Sequence, residues 1–338
     1  MPPSLRTFAV TAALSAALAA LALTPAAARE IAPRDQVRTM ARGVNILGYD
    51  PLWKDPAQAR FQIDRHLKII KDGGFDTVRV NLQAFAHMDA DNRLDPAWLK
   101  TLDHLVETAL ARKLTIILDE HDFGPCGEDP ATCKPRLTAF WTQIGARYKD
   151  APDGVVFELL NEPNKGLTDD LWNRWVAELL PVVRATNPTR NVIVGPASWN
   201  NLEHLKGLDL PPADRHLIVT FHYYTPFEFT HQGASWNPST SKTGITWGTD
   251  AERARIKTEF DGVQAWAKAH DRPILLGEFG AYDKGDMTSR VAYTAAVARE
   301  AEARGWAWGY WQFDSDFIVY DIKKDAWVEP IHGALVPR

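Results

Sequence analysis

Short apolar runs rich in β-formers alternate with amphipathic stretches eight times along this chain, and that alternation restricts the possible folds more than any other feature. Strands are expected at 41–46, 75–81, 114–119, 156–160, 191–194, 216–221, 273–280 and 306–311. Between them lie helical patterns at 57–72, 95–113, 135–148, 168–185, 250–270 and 287–304, with a short last helix near 331–335. The first helix ends at Gly73-Gly74, and Asp95-Pro96 supplies a cap and first-turn proline to the next. Residues 197–215 read as irregular and 222–249 as a long loop. Eight such units predict a (β/α)8 TIM barrel in the α/β class, a single catalytic domain over 41–338. An open doubly wound sheet would carry a Gly-rich fingerprint at its first strand, and Arg42-Gly43-Val44-Asn45 is not one. In this reading Gly43 and Asn45 mark the start of the loop after the first strand.

The fourth apolar run, Val156-Phe157-Glu158-Leu159-Leu160, breaks off into Asn161-Glu162-Pro163-Asn164. Leu160 is expected to end the strand, with Pro163 pushing Glu162 into an extended conformation at its tip. Pro273-Ile274-Leu275-Leu276-Gly277-Glu278-Phe279-Gly280 repeats the design. The two glutamates are 116 positions apart, three βα units of about 39 residues, as a barrel of this length requires. Both therefore point toward the C-terminal mouth.

Composition narrows the partners. Arg6, the small apolar run from Phe8 to Leu23 and Ala26-Ala27-Ala28 read as a signal peptide over 1–28, so a secreted or periplasmic protein is expected, with no membrane association after cleavage. Residues 29–40 then read as an exposed N-terminal linker. A net charge of −5 with no basic run argues against nucleic acid. Thirteen tryptophans exceed what a core of this size needs, and exposed rings suit stacking on sugar faces. The two cysteines, Cys126 and Cys133, sit in a Gly/Pro-rich stretch read as a loop, where an exported protein would join them in a disulfide. A zinc site would need more ligands than His121 adds to them.

Polar residues at strand ends are functional candidates by position, each with a bland alternative. Arg79 inside an apolar strand must find a carboxylate, either as a structural ion pair or to hold a reacting group ionised. His121 reads as a satisfied core histidine unless His222, at an equivalent strand end, shares its space. His222 and Tyr224, two apart, face one side. Trp311 closes the last strand, over the mouth or packed in the core. Glu158, counted back by twos from Glu162, lies deeper on the same side and reads as a structural partner.

Two carboxylates flanking a sugar bond are the equipment of glycoside hydrolysis, one protonated and one ionised. A metal-dependent hydrolase would want a His-x-His or denser His/Asp cluster, which the first strand lacks, so no metal or cofactor is expected. Leu160-Asn161-Glu162-Pro163, Leu276-Gly277-Glu278-Phe279-Gly280, His222-Tyr223-Tyr224, Arg79, His121 and Trp311 together resemble glycoside hydrolase family 5 of clan A, in its secreted bacterial endoglucanase (cellulase) type, as does the loop from Tyr224 to Ala234. The resemblance covers essentially the whole chain after the signal segment. It implies a retaining endo-β-1,4-glucanase acting on β-linked polysaccharide or oligosaccharide, with Glu162 as general acid/base and Glu278 as nucleophile; a monomer is expected. It further implies that Asn161 binds the sugar 2-hydroxyl, that Arg79 and Tyr224 orient and ionise Glu278, that His121 and His222 line the −1 subsite, and that Trp311 is its platform. Trp199 and Trp236 are weaker subsite candidates. The alternatives are another family 5 specificity, mannanase or β-1,3-glucanase, and a non-catalytic carbohydrate-binding protein on the same scaffold. Where relatives often read Tyr-Trp-Glu-Phe at the last strand, this chain has Tyr310-Trp311-Gln312-Phe313, a lost charge that bears on subsite preference.

Overall fold

The computed structural model describes residues 30–46, 51–53 and 55–337, so the expected signal peptide lies outside the described residues. Eight parallel strands close into a barrel in sequence order: β1 Arg42–Ile46, β2 Thr77–Leu82, β3 Thr115–Glu120, β4 Val155–Glu158, β5 Val192–Val194, β6 Leu217–Tyr223, β7 Ile274–Phe279 and β8 Ala307–Tyr310. Pairing of β1 with both β2 and β8 completes the ring. Helices cover the outside, including Pro96–Ala111, whose first turn is held by the Asp95 carboxylate accepting from the N–H groups of Ala97 and Trp98.

Strand alternation sorts the side chains. Val44, Val78, Ile116, Phe157, Val219 and Leu276 point outward into the large core beneath the helices. Ile117, Val156, Ile193, Ile218, Leu275 and Ala307 point inward as one apolar layer. One step toward the C-terminal mouth the inward positions turn polar, with Arg79, Asp119 and Glu158 all fully buried. That layer is the floor of the site.

Three expectations are corrected. The segment 29–40 is not an exposed linker: Pro33–Met40 is a helix whose Val37 and Met40, three apart on one face, join the inward apolar layer and close the barrel's N-terminal end. Gly43 and Asn45 lie within β1, and glycine stands at 43 because a Cβ there would come 2.9 Å from the Trp308 carbonyl oxygen of the neighbouring strand. The cysteines sit in helices, Cys126 in Phe123–Glu128 and Cys133 in Pro130–Arg147, joined by a disulfide with Cα atoms 4.9 Å apart. That second helix starts five residues before the predicted position because Asp129 caps it through Thr132 N–H and Pro130 fits its first turn.

Candidate active site

The two glutamates reach the mouth by different irregularities, neither a simple continuation of its strand. β4 ends at Glu158, not at Leu160, and Glu162 is not extended: its φ of 43° is left-handed. The following proline disfavours the right-handed helical region, and the chain meets that restriction by turning the other way. In β7 the alternation that points Leu275 inward would send Glu278 outward. Between β6 and β7 the register slips, Phe221 pairing with Leu276 and His222 with Glu278, so Gly277 is the extra residue of a bulge and Glu278 is turned in. Only glycine fits there. A Cβ at 277 would lie 2.5 Å from Thr220 Oγ1 and 3.0 Å from His222 Nε2. We expect Gly277→Ala to cost roughly 1–3 kcal/mol in denaturant unfolding and to displace Glu278; unaltered stability would contradict this role.

Arg79 organises what the bulge delivers. Its Nε and Nη2 donate to Glu158 at 2.7 and 2.9 Å, Nη1 to Glu278 Oε1 at 2.8 Å and to Asn45 Oδ1 at 2.9 Å, and Nη2 to Asn161 Oδ1 at 2.8 Å. Asp119 Oδ2 stands 3.0 Å from the same Nη2. A fully buried guanidinium is costly alone, but three carboxylates hold it firmly protonated. Asn45 also donates to the carbonyl oxygen of Gly277 at 3.1 Å, which pins the bulge to β1. Glu158 thus serves as Arg79's main anchor, below the mouth.

His222 stands between the two glutamates, with Nδ1 2.8 Å from Glu162 Oε1 and 3.5 Å from Glu278 Oε2, and Nε2 3.2 Å from the Asn200 amide. One ligand-type atom from each of Glu162, His222 and Glu278 lies within 4.8 Å of the others. The Tyr224 hydroxyl donates to Glu278 Oε2 at 2.9 Å. Burial pushes Glu162 up to about 8, against the attraction of Arg79. Burial also raises Glu278, opposed by His222 and Arg79, and lowers His222 and His121 to about 4, so both imidazoles are neutral at pH 7.

Around this centre runs a cleft in two lobes that share Phe123, Glu162, Tyr224, His231 and Trp236. The smaller, about 310 Å³, contains His121, Asn161, Glu278, Trp311 and Gln312. Trp311 lies parallel to His121, ring centres 5.9 Å apart and planes 11° from parallel. The larger, about 650 Å³, contains His222, Trp199 and Phe227. Trp199 and Trp236 are 48% and 53% exposed on its walls. Ser198, Trp199 and Asn200 all have positive φ, a left-handed turn that lifts the Trp199 ring off the barrel while Asn200 drops beneath it to His222. Every residue picked out at a strand end therefore lines one cleft or holds a residue that does. Asp119, Asn81 and Asn200 were missed, although Asp119, two before His121 in an apolar strand, carried the same signal as Arg79.

The family model for Cellulase (glycosyl hydrolase family 5) matches residues 37–316. The chain belongs to glycosyl hydrolase family 5. Among family relatives, Endoglucanase H of Acetivibrio thermocellus is 30% identical over 87% of this chain, and Endoglucanase B of Clostridium cellulovorans 28% identical over 89%. The chain spans 32% of the length of the first and 74% of the second. Among solved family 5 barrels, a hyperthermophilic endo-β-1,4-glucanase in complex with substrate is 36% identical with a TM-score of 0.86, covering 91% of this chain and 100% of that one. Endoglucanase Cel5A of Thermotoga maritima is 36% identical with a TM-score of 0.85, covering 90% and 100%.

Proposed function

We propose that this chain hydrolyses β-1,4-glucan at internal bonds with retention of configuration, Glu278 acting as nucleophile and Glu162 as general acid and then base. The observation that carries the reading is the carboxylate pair itself, with oxygens within 4.8 Å at the junction of two cleft lobes. Retaining glycosidases hold their carboxyl groups about 5–5.5 Å apart, whereas inversion needs about 6.5–9.5 Å to admit water. With Arg79 and Tyr224 donating to it, Glu278 attacks the anomeric carbon as Glu162 passes its proton to the leaving oxygen. Glu162, now ionised, takes a proton from water, which attacks the same carbon and releases Glu278. Asn161 has its oxygen tied to Arg79, leaving its amide for the sugar 2-hydroxyl. Trp311 supplies the face under that sugar, and His121 lines its edge. The larger lobe, with Trp199 and Trp236, receives the leaving part of the chain, and a cleft with room on both sides suits internal cutting. Reducing ends released from carboxymethylcellulose with a fast fall in viscosity test the reading; no release from any glucan sinks it. Mannan is the second reading, because Thermotoga maritima Cel5A, 36% identical, is solved with both mannotriose and cellobiose. Product analysis on a glucan and mannan panel separates the two.

Two further outcomes follow. Glu162 must carry its proton to act and is raised to about 8, while Glu278 must be ionised, so kcat/KM should trace a bell whose alkaline limb falls near pH 8. Glu162→Gln should remove that limb and slow poor leaving groups far more than activated aryl glycosides; equal losses on both contradict proton donation by Glu162. Export belongs to the same proposal, resting on Arg6, the apolar run and Ala26-Ala27-Ala28. A mature N-terminus read from secreted or periplasmic material checks it. Among the described residues no helix is long and apolar enough to cross a membrane.

A further inference from the structure

Asp119 is fully buried and lines neither lobe of the cleft, yet it joins His121, which lines the smaller one, to Arg79 in the floor beneath. Its Oδ2 lies 2.6 Å from His121 Nδ1, accepts from Asn81 Nδ2 at 3.2 Å and pairs by charge with Arg79 Nη2 at 3.0 Å, whose hydrogens go to Glu158 and Asn161, whereas Oδ1 has no partner. The Asn81 amide also stands 3.2 Å from His121 Nδ1. The other two carboxylates on Arg79 are used on both oxygens: Glu158 takes Nε and Nη2, and Glu278 takes Nη1 and the Tyr224 hydroxyl. A short contact between an imidazole nitrogen and a carboxylate oxygen paired with a guanidinium puts the imidazole proton on Nδ1. Nε2 is then a bare acceptor, 3.5 Å from the Asn161 amide and facing the cleft. We propose that Asp119 is a positioning residue of this site, fixing His121 with Nε2 bare toward the sugar and, as a third carboxylate on Arg79, setting the pH window in which Glu162 and Glu278 work.

The charge argument runs through one guanidinium. Among the described residues Arg79 from β2 is the cation facing the group, against Asp119 from β3, Glu158 from β4, Glu162 after it and Glu278 from β7, with His121 and His222 neutral, burial raising Glu120 beside Asp119, and the Tyr224 hydroxyl on Glu278. Each negative charge on Arg79 weakens its hold on the reacting pair, and Asp119 also opposes ionisation of Glu162 directly. Burial raises Asp119 itself to about 7, opposed by Arg79, so its charge acts above neutrality, and removing it without changing the side-chain shape lets Glu162 ionise at lower pH.

This inference rests on the reading of Glu162 and Glu278 as the reacting pair. That reading fails if Glu278→Ala keeps the parent rate; Asp119 is tested separately, by the pH limbs of an active variant. In Asp119→Asn the alkaline limb of kcat/KM is expected to move toward acid by roughly one pH unit. The kcat should fall about tenfold with KM within about threefold, because a neutral amide oxygen holds the His121 N–H less firmly than a carboxylate does. Nitrogen-15 spectra of the parent's imidazoles at neutral pH should find His121 protonated on Nδ1 and bare on Nε2. A variant profile superimposed on the parent's, whatever the loss of kcat, overturns the proposal, as does a parent His121 protonated on Nε2. Should Asp119→Asn fail to fold, the parent's imidazole spectrum alone decides.

Discussion

Glu278→Ala is expected to lower kcat/KM by on the order of 10⁴-fold, about 5.5 kcal/mol of transition-state stabilisation, while the protein melts at or above the parent temperature. The loss follows from the proposed chemistry, since without this carboxylate nothing forms the covalent intermediate. The retained stability follows from the floor of the site. Arg79 keeps its bidentate pairing with Glu158 and its contact with Asp119, and a third buried carboxylate that competes for one guanidinium is gone. Reacting groups are held in place at a cost in stability, and removing one relieves it. Small anions should enter the space left by the carboxylate and attack the anomeric carbon themselves. Azide is therefore expected to restore cleavage of an activated aryl glycoside, with the product's anomeric configuration inverted. Rescue with retained configuration, or a variant with near-parent activity on glucan, contradicts the nucleophile assignment.

Arg79→Met should be the most destabilising single change in the barrel mouth. It leaves Asp119, Glu158 and Glu278, each at most 5% exposed, without their shared cation. Breaking a buried charge network from the cation side costs about 3–5 kcal/mol, because the stranded carboxylates are desolvated and repel one another. The sign of the pH dependence identifies the cause. Stranded carboxyl groups have folded-state affinities for protons above their unfolded values, so the penalty grows as pH rises above about 4 and fades below it. Urea unfolding of parent and variant at pH 4 and pH 7 measures this, and a pH-independent difference would assign the loss to packing instead. Adding Glu158→Leu should recover part of the loss, since the two residues are direct partners.

Much of this was legible in the chain because barrel geometry converts sequence period into position. Eight apolar runs separated by helical patterns specify the barrel, and the polar residue ending each run is thereby placed at the mouth. Arg79, His121, His222 and Tyr224 could be picked out for that reason. The Asp95-Pro96 cap was equally legible, because capping is local chemistry. What escaped were features that depend on a neighbour across the sheet. The inner helix Pro33–Met40 looked like a linker because its apolar face is only two residues wide, and it becomes a plug only when a closed barrel end is there to receive it. Asp119 looked like an ordinary polar interruption until the fold set it against Arg79, and Asn45, a strand-end candidate by position, found its role only as a partner of the same guanidinium.

The two glutamates mark the boundary between the two kinds of information. By itself the sequence determined that each ends an apolar strand three βα units from the other, since hydrophobic periodicity and chain length are properties of the chain alone. Only the tertiary structure decided that they face each other. Glu278 points inward because of a one-residue slip at Gly277, which β6 creates with the close approach of Thr220 and His222 and β1 secures through Asn45. Glu162 arrives by a left-handed residue beyond the end of β4, with His222 waiting 2.8 Å away. Register slips and left-handed turns cost energy locally, and contacts from distant strands must hold them, so no stretch of sequence read alone contains the reason for them.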